Sequence, residues 1–73
     1  MESLDGKRYL NGEYVIVGIR NAFNDKVSFW ISKKGYTISF YCFSATTQKE
    51  VDYQLDIGWP GYINMFEDAL KKI

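Results

Sequence analysis

Asp52 and Asp56 are the carboxylates whose spacing comes nearest to acid–base chemistry in this 73-residue chain. Two carboxylates can divide general-acid and general-base work, but a glycosidase pair needs about 5–9.5 Å between them. Val51, Tyr53, Leu55 and Ile57 alternate with Asp52, Gln54 and Asp56, the pattern of a half-buried strand. On a strand the two aspartates share one face about 13 Å apart, from a rise of roughly 3.3 Å per residue, and they are expected to be solvated charges. Cys42 is the only thiol. At a core-facing strand position it is expected to be a small buried hydrophobe rather than a nucleophile.

Histidine is absent, which removes the commonest general base and the commonest transition-metal ligand. One cysteine without histidine offers no zinc or iron–sulfur set. Gly58-Trp59-Pro60-Gly61 lacks the Lys-Ser/Thr that a phosphate-binding loop requires. The expectation is a protein that is not an enzyme, with no cofactor and no metal.

The residues that suggest binding instead lie in two alternating runs, Val27–Lys33 and Tyr36–Phe43, hinged on Lys33-Lys34-Gly35. Successive strand side chains point to opposite faces. Val27, Phe29, Ile31, Ile38, Phe40 and Cys42 then share one face, an ordinary core. Ser28, Trp30, Ser32, Thr37, Ser39, Tyr41 and Phe43 share the other, where large aromatics alternate with small hydroxyls, a composition suited neither to a dry interior nor to a plainly solvated surface.

Positioning these runs requires a sheet. Asn11-Gly12 is the preferred type I′ hairpin dipeptide, and with that two-residue loop Leu10 faces Glu13 and Tyr9 faces Tyr14. Tyr14–Arg20 reads as a strand with Val15, Val17 and Ile19 on one side and Tyr14, Ile16, Gly18 and Arg20 on the other. Gly18 marks a bulge or a close backbone approach. Asn21–Lys26 is a connection in which Asn24-Asp25 cap their own turn, with Phe23 as a lid over a sheet edge. Ser44–Glu50 reads as a loop, although Thr47 and Glu50 have capping-box spacing and allow a short helical turn.

After the strand at 51–57, Pro60 is expected at the first position of a helix. Tyr62, Ile63, Phe66, Ala69, Leu70 and Ile73 form its apolar stripe. Glu67 with Lys71 and Asp68 with Lys72 are expected as pairs on its outer side. The fold class expected is therefore α+β, a single domain over 1–73. It is an antiparallel β-meander of four to five strands with one C-terminal α-helix packed on one face. The helix is expected to cover Val15, Val17, Ile19, Val27, Phe29, Ile31, Ile38 and Phe40. Tyr14, Ile16, Trp30, Tyr41 and Phe43 would then be open to solvent.

Nine basic and nine acidic side chains cancel, so the net positive field of a nonspecific nucleic-acid binder is missing. The split is mild, six bases against four acids in 1–44 and three against five thereafter. The acidic start Met1-Glu2-Ser3-Leu4-Asp5 and the lack of a long apolar run point to a cytoplasmic protein with no membrane segment. A chain this short is marginal without extra hydrophobic contact. The expected function is a protein–protein interaction module, an inhibitor or adaptor of the kind that phages and mobile elements direct at host proteins. It would dock a partner, or a second copy as a homodimer, through its edge strands and an aromatic sheet face of Trp30, Tyr41, Phe43 and Tyr14, with Arg20, Lys33 and Lys34 as a polar rim. The alternative is a single-stranded nucleic-acid binder that stacks bases on the same aromatic face.

Overall fold

A computed structural model describes residues 4–23 and 25–72. Met1, Glu2, Ser3, Asn24 and Ile73 lie outside the described residues, and with them part of the acidic start, half of the Asn24-Asp25 turn and the last member of the helical stripe. The chain forms strands β1 (Arg8–Asn11), β2 (Tyr14–Arg20), β3 (Val27–Lys33) and β4 (Phe40–Ala45), then helix α1 (Gln48–Lys71). The strands are hydrogen-bonded in sequence order, each antiparallel to the next. The α+β meander with one C-terminal helix is thus the observed architecture, with four strands.

The first hairpin turns at Gly12-Glu13, because Asn11 pairs with Tyr14. Gly12 takes φ 63° and Glu13 stays at negative φ. Glycine at the first central position is what a type II′ turn demands. Leu10 consequently pairs with Val15, and Tyr9 with Ile16, in place of Glu13 and Tyr14. The turn after β3 follows the Lys-Lys-Gly expectation: Gly35 sits at φ 90° and the Tyr36 amide donates to the Lys33 carbonyl. Gly18 is a close-approach position, since a Cβ there would lie 2.6 Å from the Leu4 carbonyl oxygen and 2.9 Å from the Phe29 ring. Phe23 is 96% exposed and covers nothing.

The expected strand at 51–57 is helical. Thr47 at φ −126°, ψ 155° is the N-cap, accepting from the Glu50 amide while the Glu50 carboxylate accepts from the Thr47 hydroxyl. The Thr47 oxygen thereby satisfies one first-turn donor that a helix otherwise leaves unpaired, and the Glu50 carboxylate also accepts from the Thr46 amide and hydroxyl just ahead of the cap. This cap starts a helix of 24 residues rather than one turn. Val51 and Leu55 are buried four residues apart, and Trp59, Tyr62, Ile63, Phe66 and Leu70 continue the stripe at three- and four-residue steps. Tyr53 and Ile57, the residues that completed the strand-like alternation, are exposed. Gly58-Trp59-Pro60-Gly61 does not interrupt the helix, and Pro60 lies in its interior.

The helix packs on β3 and β4. Beneath it are Ile16, Val27, Phe29, Ile31, Phe43 and Ala45, with Leu4 from the N-terminal segment. Two aromatic groups join the layers. Phe43 stacks on Phe29 at 4.8 Å and on Tyr62 at 5.6 Å. Phe66, fully buried, meets Tyr14, Tyr36 and Phe40 edge-on at 5.5–6.1 Å.

Candidate protein-binding face

Directly paired residues on neighbouring strands point to the same side of a sheet, so the register defines both faces. The helix-covered face takes Tyr14, Ile16 and Gly18 from β2, opposite Lys33, Ile31 and Phe29 of β3. The expected phase of β2 is therefore reversed: Val15, Val17 and Ile19 lie on the open face and Tyr14 and Ile16 under the helix. Arg20 pairs with Val27, leaving six residues, Asn21–Lys26, in the connection. That even number brings even-numbered residues of β2 opposite odd-numbered residues of β3.

A second correction comes from a bulge. Trp30 pairs with Tyr41 but Phe29 pairs with Phe43, so Cys42 is the extra residue and the alternation of β4 flips after it. Phe43, expected on the open face, is buried beneath the helix. Cys42 is half-buried at the bulge, its Sγ 3.9 Å from the Phe40 carbonyl oxygen, and burial pushes its thiol up to about 12. It stays protonated at neutral pH, which leaves it a poor nucleophile.

The open face consists of three rungs. One runs Arg8–Val17–Trp30–Tyr41 across all four strands. On one side of it lies Leu10–Val15–Ser32, and on the other Ile19–Ser28–Ser44. Leu10 is 77% exposed, Ile19 52% and Tyr41 47%. The Trp30 and Tyr41 rings meet edge-on at 5.6 Å, and the Tyr41 hydroxyl is 2.7 Å from that of Ser44. The described core and the hydrophobic residues packed against it all belong to the other layer.

Of the residues singled out by sequence, the structure brings Trp30 and Tyr41 together on this face. Lys34, exposed in the β3–β4 turn, borders a shallow depression of about 380 Å³ with Arg8, Leu10 and Val15. Arg20 is exposed at the end of β2, its amide donating to Asp5. Tyr14, Phe43 and Lys33 belong to the helix side. Arg8, Leu10, Val15, Val17 and Ile19 were missed as face residues; the six-residue loop was the signal that could have set their phase.

Lys33 is an internal tether rather than a rim cation. Its Nζ donates to Glu67 Oε1 at 3.0 Å, the Tyr14 hydroxyl donates to the same oxygen, and the ammonium lies 5.3 Å from the Tyr14 ring centre. Glu67 therefore reaches across to the sheet instead of lying on the outer side of the helix. Hydrogen bonds from Tyr14 and Lys33 hold its carboxyl below the usual range, and the bond to Glu67 raises Lys33 and Tyr14. A lowered folded-state value means that Glu67 stabilises the fold above its unfolded value, near pH 4.3–4.5, and loses that contribution as pH falls through its folded value. Thermal melts of the wild type and Glu67→Gln should accordingly differ at pH 7 and converge as the pH falls below about 4.5. A gap that does not change with pH would show that the carboxylate charge is not what ties helix to sheet.

The aspartate pair needs a different reading on a helix. Asp52 and Asp56 are now one turn apart, with Cβ atoms about 5–6 Å from each other, so separation no longer argues against them. Both are exposed, and Asp52 accepts from the Gln48 amide at 2.9 Å. Neither borders the depression described above. Among the described residues no three His, Cys, Asp or Glu side chains converge as a metal site, and no helix is long and apolar enough to cross a membrane.

The fold and the face together define a helix-backed β-meander with one uncovered apolar side. No known family model, curated protein or solved structure matches the chain.

Proposed function

We propose that this chain is a small, non-enzymatic, cytoplasmic protein–protein interaction module whose contact surface is the open face of its sheet. In this reading it acts as an inhibitor or adaptor by occupying a partner's surface, the role small proteins of phages and mobile elements fill. The observation that carries the reading is the Val17–Trp30–Tyr41 rung with its neighbours Leu10, Val15 and Ile19, a face on which Tyr41, Leu10 and Ile19 are exposed and Val15, Val17 and Trp30 half-buried, with no element packed over it. Contiguous apolar surface of this kind on so small a protein marks an interaction site. Trp and Tyr add large contact area with few rotatable bonds. The edge strands are less suited to docking: β1 has only four residues and β4 is bulged at Cys42, and both features discourage strand addition.

Single-stranded nucleic acid is the weaker alternative. Arg8 is the only charged residue in the three rungs, and Lys33 is held by Glu67 on the other side. Failure of a labelled oligonucleotide to bind at low salt is the expected result.

A photo-crosslinking amino acid placed at Ile19, on the open face, tests the module reading against the same probe at Asp56, exposed on the helix. Discrete adducts from position 19 and none from position 56 are expected in cells. No adducts from position 19, or equal labelling from both, would overturn it.

A further inference from the structure

We infer that the occupant of the open face is a second copy of this chain, related by a two-fold axis parallel to the strands and midway between β2 and β3. The inference rests on the module reading above and names its partner. Such an axis superimposes each rung on itself in reverse order. The four-strand rung then sets Arg8 over Tyr41 of the partner subunit and Val17 over the partner's Trp30, each contact made twice. A guanidinium over an aromatic face is attractive, so the one cation of the face meets a ring rather than another cation. The other in-plane axis, across the strands, lays β1 on β1 and brings the two Arg8 side chains together.

Side-chain sizes favour the same axis. In β3 the face reads small, large, small: Ser28, Trp30, Ser32. In β2 it reads Val15, Val17, Ile19. Reversed rungs place Val15 and Ile19 over the grooves left by the partner's Ser32 and Ser28, the large-on-small interdigitation that dense packing requires. Tyr41 and Ser44 already satisfy one another at 2.7 Å, so that pair is enclosed without losing a partner.

The ten face positions, about 4.8 Å apart between strands and about 6.6 Å apart between rungs, project about 320 Å² per copy before side-chain relief is counted. Two copies therefore remove about 640 Å² of projected area, the size of a weak contact that dissociates readily. A second sheet laid on the open face gives an 8.5 kDa chain the second hydrophobic layer that small domains otherwise lack.

Sedimentation equilibrium of the purified full chain from about 1 μM to about 500 μM, the range in which so small an interface dissociates, decides the matter. The expected mass is twice 8.5 kDa at the upper end. Val17→Glu should be monomeric at every concentration, with a far-UV spectrum like the wild type's. Arg8→Ala should dimerise about 5- to 30-fold more weakly, because it loses both cation–ring contacts and, as an exposed strand residue, threatens folding less than the Val17 change does. A dimer that survives Val17→Glu uses another surface and overturns the proposal. An Arg8→Ala dimer of unchanged affinity overturns the two-fold. A strictly monomeric wild type overturns the second copy as occupant. If position 19 still gives crosslinks to another protein, the module reading stands without it. If position 19 gives none, both are lost.

Discussion

Phe66→Ala is expected to lower the melting temperature by at least about 12 °C, since a buried Phe→Ala change costs about 3–5 kcal/mol and a domain of this size shifts by about 4–8 °C per kcal/mol. The cause is its position as the one side chain that meets Tyr14 of β2, Tyr36 of the β3–β4 connection and Phe40 of β4 from the helix. Total stability for 73 residues is about 4–11 kcal/mol at about 0.05–0.15 kcal/mol per residue. Loss of one ring thus removes about a quarter of it or more. Far-UV melts at one fixed protein concentration are the measurement, because association makes the midpoint concentration-dependent. A drop of less than about 5 °C would mean that the helix is held elsewhere, at Phe43 and Tyr62.

Pro60→Ala is expected to do the opposite. Inside a helix proline has no amide proton for the carbonyl four residues earlier, here that of Asp56, and costs about 3 kcal/mol relative to alanine. Proline also restrains the unfolded chain, which returns about 0.4–1 kcal/mol. The net gain is about 2 kcal/mol, or about 8–16 °C in the same melts. A helix that ended before Gly58 and restarted at Pro60 would behave differently, since proline suits a first turn. There the substitution would leave the midpoint unchanged or lower it. The experiment therefore distinguishes one continuous helix from the strand, turn and short helix that the local pattern suggests.

That ambiguity shows how far local pattern reaches. Val51, Tyr53, Leu55 and Ile57 alternate, and Val51, Leu55, Trp59, Tyr62 and Phe66 also recur at helical steps. Both patterns contain Val51 and Leu55, and nothing within 51–57 separates them. The capping box at Thr47 and Glu50 did separate them, and it was legible as a motif although its reach was not. Gly58 and Pro60 argued for a break because each is unfavourable in a helix interior. Packing overrides that preference: a Cβ at Gly58 would come within 2.6 Å of the Tyr62 ring, which donates through its hydroxyl to Gln54 and stacks on Phe43.

The candidate site divides in the same way. Trp30 and Tyr41 could be placed on one face because the Lys-Lys-Gly hinge sets the parity between the two strands and both residues lie on the hinge side of the bulge. Phe43 could not, because a bulge at Cys42 inverts everything after it, and no residue type in Phe40–Ala45 announces one. Nor could β2, where both faces are apolar and only pairing with β3 decides which meets the helix.

Residue types and spacing alone determined the absence of histidine and of thiol pairs, the first three strands, the Lys-Lys-Gly turn, the helix N-cap and the apolar stripe from Tyr62 to Leu70, because each depends on neighbours within a few positions. Tertiary structure alone decided the phase of β2, the inversion at Cys42, the length of the helix and the capture of Lys33 and Tyr14 by Glu67. Those depend on groups brought together across the chain, up to 53 positions apart for Tyr14 and Glu67. Burial energy summed over a whole face outweighs any preference written in a short segment.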